Sequence, residues 1–421
     1  NTGATTLNIT QSGASALGAK NVFYRGAACV GGEIKIGVPV TLVYDGTQFN
    51  LTGGAQKGTG TNGYTIAVDS TQSDGLIWTP YASAANNAII GGDFSTNPWQ
   101  RGTSFNAPAS GTYMPDRWAW GNSIGPGTID LLKTADAPTV AQAGRLITHC
   151  VEFGVSGVDA AIAAGDSYNF YTVIEGYNII PLVQQSMVLQ FWHKHTKTGT
   201  YCVFVKNPTD RSYVAEYTQS SSGAWEFFSV VIPASPSAGT WNYTNSDGMY
   251  VGFQLACGST YQTTAGSWNA GNFLATANQV NGMDAANNFK IAGVDLRPGN
   301  VVLPVQSRDV GTELALCQRY YAKSYTQGYY AGDATGNGIE YGTYETAYLA
   351  AVITRRFRVP MRATPTLVGY DNSGTINKWV DTVAGAQTVT FAGQTAESIG
   401  YVVLAAGTAG YYGHWTASAE L

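Results

Sequence analysis

The sequence predicts an all-β protein: a small N-terminal β domain, a central antiparallel β-sandwich of jelly-roll type, and a C-terminal β domain carrying one short helix. Three observations predict it. Runs of four to ten residues, rich in aromatic and β-branched side chains, recur between Gly, Ser, Asn and Pro turns. Between the runs of the central region nothing has the length and period of a crossover helix, so its sheets should be antiparallel and close as a sandwich. The 27 acidic and 22 basic residues make the chain only 12% charged, while Gly reaches 51 and Tyr 26. That balance suits turn-rich sheets and excludes helical bundles and coiled coils, which need Ala/Glu/Lys/Leu/Arg-rich periodic stretches.

Residues 1–53 read as short strands and tight turns. TLVYDGTQFNL (41–51) sets two apolar runs around Asp45-Gly46, a dipeptide that favours a type I′ hairpin. The glycine-rich GGAQKGTGTNG (53–63) and the polar patch up to Asn87 mark 54–88 as a neck or linker. From 89 to 305 the strand signals are densest: MVLQFWHKHT, TYCVFVKN, RSYVAEY, WEFFSVVIP and MYVGFQLAC. The region 306–421 opens on GTELALCQRYYAKSY, where Leu314, Cys317 and Tyr321 fall at i, i+3 and i+7 with Thr312 as N-cap. Strands are expected again at ETAYLAAVI, RRFRVP, TPTLVGYD, QTVTFAG and IGYVVLAAG.

Several function classes are excluded. The net charge is −5 and no Lys/Arg cluster stands out, against the basic footprint of nucleic-acid binding. No apolar run reaches the ~18 residues of a membrane span, and no secretory signal peptide is visible. Cys29, Cys150, Cys202, Cys257 and Cys317 are widely spaced without a CxxC, which reads as isolated buried thiols assembled in a reducing cytoplasm. The chain opens at Asn1 without a methionine, so a preceding N-terminal part is expected.

The catalytic and metal motifs are weak. GTGTNG (58–63) fits GxGxxG, but strand-like YTIAVDS follows where a dinucleotide site needs a helix. GNSIG (121–125) fits GxSxG, yet Pro126-Gly127 blocks the helix of a nucleophile elbow. His193 and His195 share a strand face with no third ligand in view, so an ordinary buried pair is the better reading. Asp116, Asp130, Glu152, Asp166, Glu175, Glu216 and Glu226 are scattered singly and read as solvated or turn-capping carboxylates, with no marked glycosidase pair.

The aromatics are the most suggestive feature. Tyr320, Tyr321, Tyr325, Tyr329, Tyr330, Tyr341, Tyr344 and Tyr348 crowd together, and Tyr411, Tyr412 and Trp415 follow near the end. Tyrosine joins a flat apolar face to a polar tip and so can stack on a sugar while hydrogen-bonding its hydroxyls. Packing is the expected role of Tyr320 and Tyr321 on the helix. The candidate glycan-binding set is Tyr329, Tyr330, Tyr341, Tyr344, Tyr411, Tyr412 and Trp415.

NNAIIGGDFSTNPWQRGTSF (86–105) followed by MPDRWAW (114–120) resembles the start of the jelly-roll module of bacteriophage tail fibres and related virion appendages. NFKIAGVDLRPGNVVLPVQSRDVGTELALCQRYYAKSY (288–325) is similar to the module's end, and RFRVPMRATPTL (356–367) and ASAEL (417–421) resemble the terminal region that often follows. TLVYDGTQFNL also resembles a small β repeat of fibre shafts. The resemblance implies a virion adhesin: a homotrimer assembled in the host cytoplasm, with 306–421 as the receptor-binding tip. It implies binding of a host-surface glycan or lipopolysaccharide and attachment to other tail proteins through an N-terminal part. Such a protein needs no catalysis, no required cofactor, no nucleic acid and no membrane insertion. Related modules hold a structural calcium under carboxylates placed like Asp93 and Asp295. Here Asp295-Leu296-Arg297 departs from the family, which more often has glutamate after the leucine. A glycan-degrading tailspike and a purely structural collar are the competing readings, and the former often uses repetitive β-helices that this sequence lacks.

Overall fold

The computed structural model describes residues 6–7, 19–24, 27–29, 41–53, 64–68, 76–80, 87–305, 307–343, 355–404 and 410–421. It divides into two compact units, Asn1–Ala85 and Asn86–Leu421.

In the first unit, β1 (Thr6–Leu7), β2 (Lys20–Tyr24), β3 (Ala27–Ala28), β4 (Thr41–Tyr44) and β5 (Phe49–Gly53) form one sheet, and β6 (Tyr64–Val68) pairs with β7 (Leu76–Pro80). Val22, Cys29, Phe49 and Leu51 make its small core. The β4–β5 hairpin is present, but its turn differs from type I′. Tyr44 pairs with Phe49 across four residues, and the Asp45 carboxylate accepts the Thr47 and Gln48 N–H groups at 2.9 and 3.0 Å. Gly46 alone in that loop has positive φ, whereas type I′ requires it at both central positions. The neck expected over 54–88 contains the β6–β7 pair, and the GxGxxG string lies outside the described residues.

The second unit is built on a two-sheet sandwich. Its strands are β8 (Ser104–Asn106), β9 (Trp118–Ser123), β10 (Thr128–Thr134), β11 (Cys150–Gly157), β12 (Ser167–Glu175), β13 (Met187–His195), β14 (Gly199–Lys206), β15 (Arg211–Gln219), β16 (Glu226–Ile232), β17 (Asp247–Cys257), β18 (Trp268–Ala270) and β19 (Asn288–Pro298). One sheet runs β16-β13-β19-β11-β10-β8 and the other β18-β15-β14-β17-β12-β9, with every pairing antiparallel. The five central runs singled out in the sequence are β13 to β17. Alternation does the rest: Tyr201, Val203 and Val205 of β14 and Met249, Val251 and Phe253 of β17 point into the core with Trp118, Phe170 and Phe191.

His193 and His195 belong to that interior. His193 Nδ1 lies 3.0 Å from Gln219 Oε1, and His195 Nε2 lies 3.1 Å from the Tyr217 hydroxyl. Burial pulls both imidazoles toward the neutral form. Two carboxylates depart from the solvated reading: Asp116 and Glu175 are fully buried and ion-paired, with Arg101 at 3.6 Å and Arg319 at 2.6 Å respectively. Glu226 and Asp166 do cap turns, through Ser220–Ser221 and Ala163. Cys150, Cys202, Cys257 and Cys317 are buried thiols.

Two one-turn helices, α1 (Val140–Ala143) and α2 (Gly176–Ile179), lie between sandwich strands. The C-terminal part follows α3 (Val310–Gln318) with β20 (Tyr321–Lys323), β21 (Glu340–Thr343), β22 (Thr366–Tyr370), β23 (Lys378–Asp381), β24 (Gly385–Ala392), β25 (Tyr401–Leu404) and β26 (Gly410–Ser418). The N-cap of α3 is Asp309, not Thr312, because the Asp309 carboxylate accepts the Thr312 N–H. The helix ends before Tyr320, so Tyr321 sits in β20 opposite Ser418. β26 is the spine, pairing with β20, β21, β22 and β23. Gly413 makes room there: a Cβ would stand about 2.4 Å from the Trp379 ring that lies across it. RRFRVP is no strand. It makes one bridge, Arg356 to Ser398, and Pro360 has no N–H to continue a ladder. ETAYLAAVI (345–353) lies outside the described residues.

Candidate functional site

Strand alternation that fills the sandwich core also decides what faces outward. On the β9-β12-β17-β14 sheet the outward set includes Gly121, Asn169, Tyr171, Tyr250, Phe204 and Lys206, and these line a groove of about 240 Å³ together with Tyr261, Asn272 and Leu274 from connecting segments. Register brings them together: Tyr171 pairs with Gly252, Gly252 with Phe204, and Tyr250 with Lys206. Gly252 keeps the floor low, since a Cβ there would stand 2.3 Å from the Phe204 ring. The Tyr171 and Tyr250 rings are 5.8 Å apart, and the Lys206 ammonium sits 4.6 Å from the Tyr250 ring centre.

The polar tips in this groove divide into two groups. The Tyr250 hydroxyl donates to Asp247, and the Asn169 amide donates to Ser167 at 3.1 Å. The hydroxyls of Tyr171 and Tyr261, the Asn272 amide and the Lys206 ammonium make no hydrogen bond among the described residues. Burial pulls the Lys206 ammonium down to about 8, against the weaker pull of Asp247. Flat rings beside unengaged donors and acceptors match the requirements of a sugar ring.

The residues expected to bind are distributed differently. Tyr411 and Trp415 are 1% and 7% exposed and belong to the C-terminal core with Trp379 and Phe357. Neighbours on a strand face opposite ways, so Tyr412 turns outward where Tyr411 turns in. Tyr412 pairs with Tyr341, which is 66% exposed, at 5.6 Å between ring centres. Tyr329 is exposed, and Tyr330 lies under the Lys323 ammonium at 5.1 Å. Tyr344 and Tyr348 lie outside the described residues. The surface tyrosines therefore form small separate contacts, whereas the groove gathers Tyr171, Tyr250 and Tyr261, none of which the sequence reading selected. Their signal was parity: Tyr171 and Tyr250 each fall on the face opposite the core residues of their own strands.

The carboxylates proposed for calcium do not fit it. Asp93 Oδ2 accepts from Arg145 at 3.0 Å and from the Ser307 hydroxyl, while Oδ1 accepts the Ser95 N–H at 3.1 Å. Asp295 holds Arg297 in a two-point pair at 2.8 and 2.6 Å and accepts from Gln190. Burial pushes the Asp295 carboxyl up in spite of that arginine. Guanidinium groups thus engage oxygens that a divalent cation would require. No cluster of three metal-ligating side chains occurs among the described residues. Ser123 of the GxSxG string donates to the Gly165 carbonyl at 3.1 Å.

The strings of the second unit that carried the family resemblance meet at one junction. Gln100 donates to Asp116 and to the Tyr321 carbonyl. Arg101 and Arg117 both pair with Glu420, and their guanidinium carbons stand 3.8 and 3.6 Å from the ring centres of Tyr321 and Tyr320. Arg319 grips Glu175 at 2.8 and 2.6 Å, with the Tyr320 hydroxyl on the same carboxylate. These hydrogen bonds hold the Glu175 carboxyl below its ordinary value against the opposing effect of burial. Arg362 donates to the carbonyls of Ala419 and Glu420.

No protein-family model and no curated protein matches the sequence. Among solved structures, the chain is similar to the enzymatically active domain of tailspike protein 4 of bacteriophage CBA120, at 13% identity and TM-score 0.28, over 52% of this chain. It spans about a quarter of that tailspike domain, 24% of its length. It is similar to a family 11 carbohydrate-binding module of Clostridium thermocellum solved with a mixed-linked tetrasaccharide, at 8% identity and TM-score 0.25, over 48% of this chain and 99% of the module. A putative sugar-binding protein of Bacteroides thetaiotaomicron gives 12% identity and TM-score 0.27, over 51% of this chain and all of that one. Overlaps of this extent leave the sandwich's ligand to be read from its own residues.

Proposed function

We propose that this chain is a virion attachment protein that holds a host-surface glycan in the outer groove of its sandwich without cleaving it. The observation that carries the reading is the groove itself: three tyrosine rings and Phe204 beside polar tips that no other group of the described chain engages. Rings stack on the apolar face of a sugar, and the free amide, hydroxyls and ammonium meet its hydroxyls. The virion setting is supported by the ordered motif set in the sequence. A homotrimer would multiply such shallow contacts into avidity, since each added copy binds at a raised effective concentration. In this reading the receptor site lies in the sandwich and not in the 306–421 tip.

The test is a glycan array on the full chain and on Tyr171→Ala and Tyr250→Ala. Each substitution is expected to weaken binding by about tenfold or more, as removal of roughly 1.4 kcal/mol of contact would. Unchanged binding by both variants would remove the groove from the proposal. Release of oligosaccharides from purified host polysaccharide would overturn the non-catalytic part.

A further inference from the structure

A second cavity lies in the C-terminal part, about 410 Å³ in volume, within the ~300–1,000 Å³ of small-molecule sites. Among the described residues its charge is one-sided: Lys323, Arg355, Arg356 and Arg358 line it against the single carboxylate of Glu340. That carboxylate is already paired with Arg355 at 2.9 Å. Lys323 is likewise engaged, donating to the Gln100 carbonyl at 2.8 Å and to that of Tyr329. Arg356 and Arg358 have no ion pair among the described residues and are exposed. Trp415 lines the same cavity, is 7% exposed, and its indole N–H meets no acceptor among the described residues. A buried N–H without an acceptor costs about 1–3 kcal/mol, so an incoming acceptor there would be strongly favoured.

The cavity therefore has a surplus of donors and positive charge in a chain whose net charge is −5. Such a surplus is satisfied by a ligand that only accepts, and planar guanidinium groups match the paired oxygens of phosphate and carboxylate. We propose that this cavity is an oxyanion-binding site that takes the phosphate or carboxylate of a small acidic ligand such as a sugar phosphate or a sugar acid. The proposal is independent of the sandwich groove, which is lined by uncharged side chains apart from Lys206.

Calorimetric titration of the full chain with inorganic phosphate, glucose 6-phosphate, glucuronate and glucose tests it, with sodium chloride matching ionic strength. The acids are expected to bind and glucose is not, and the Trp415 indole N–H resonance should shift on addition of each acid that binds. Inorganic phosphate as tight as glucose 6-phosphate identifies a bare anion site; tighter glucose 6-phosphate or glucuronate identifies an acidic-sugar site, and both outcomes support the proposal. The double variant Arg356→Gln/Arg358→Gln should bind at least tenfold more weakly with an unchanged melting temperature, while Tyr250→Ala binds the acids normally. Absence of acid binding at millimolar concentration would overturn it, as would equal binding by the double variant or by glucose.

Discussion

The junction and the groove use similar side chains to opposite ends. At the junction Tyr320 is buried with its hydroxyl on Glu175, and arginines lie over the rings of Tyr320 and Tyr321. In the groove Tyr171 keeps its ring half-open and its hydroxyl unengaged. The junction is also where the recognisable sequence strings converge, while the groove residues lie in strands with no memorable motif. A buried ion network tolerates little change, because loss of one partner strands the other's charge. An open groove is free to vary. The residues that make this sequence look familiar hold it together, and those placed to meet a ligand do not stand out.

The largest expected effect breaks the junction. Glu420→Ala strands Arg117, whose side chain is 2% exposed, and leaves Arg101 only its longer pair with Asp116 at 3.6 Å. It should cost about 3–5 kcal/mol in chemical denaturation. Glycan binding per folded molecule should be unchanged. A loss under 1 kcal/mol would mean that the junction is a screened surface pair instead.

One substitution made in both places sharpens the contrast. Tyr320→Phe removes a hydroxyl 2.6 Å from a buried carboxylate and should lose about 1.5–3 kcal/mol of stability without touching binding. Tyr171→Phe should leave stability within about 0.5 kcal/mol and weaken glycan binding severalfold. Equal stability losses in the two variants would erase the distinction.

The last contrast comes from pH, where both slopes have the same sign and differ in their window. Glu175 binds protons less readily folded than unfolded, so its stabilisation is full above its unfolded pKa of about 4.5 and is lost as pH falls through the lower folded value. Lys206 titrates near 8 when folded and near 10.5 when unfolded. The unfolded state therefore holds the extra proton between those values, and stability rises with pH across that window. Urea denaturation from pH 3 to 5 should show a flatter slope for Glu175→Gln than for wild type. From pH 8 to 10.5 the rise due to Lys206 should vanish in Lys206→Met.

Much of the fold was legible because it rests on local rules. The strands β13 to β17 follow from short aromatic and β-branched runs between turn residues, and the absence of crossover helices gave antiparallel sheets. Errors arose where a local signal competed with a neighbour. Asp309 outbid Thr312 as the helix cap, and the Asp45 carboxylate drew the hairpin into a four-residue turn. RRFRVP had strand-like alternation but no partner beyond a single bridge. No Lys/Arg cluster stands out in the sequence, yet the fold sets Arg355, Arg356 and Arg358 around one cavity with Lys323.

Site residues were less legible for a different reason. Density of tyrosine in the sequence says nothing about which strand face each one takes. Tyr411 and Tyr412 are adjacent in the chain, yet one is core and the other surface. Asp93 and Asp295 looked like hard-oxygen ligands until Arg145 and Arg297 were found on them, partners contributed by distant or loop positions in the case of Arg145 and by the Leu296-Arg297 departure in the other.

The sequence by itself determined the all-β class and the antiparallel strands of the sandwich, since strand-forming runs and turn chemistry act over a few residues. Only the tertiary structure decided which strands lie side by side. Tyr171 and Tyr250 share a groove because β12 pairs with β17, and Phe204 and Lys206 join them because β14 pairs on the other side. Those pairings join segments far apart in the chain, so no local pattern could have placed the rings together.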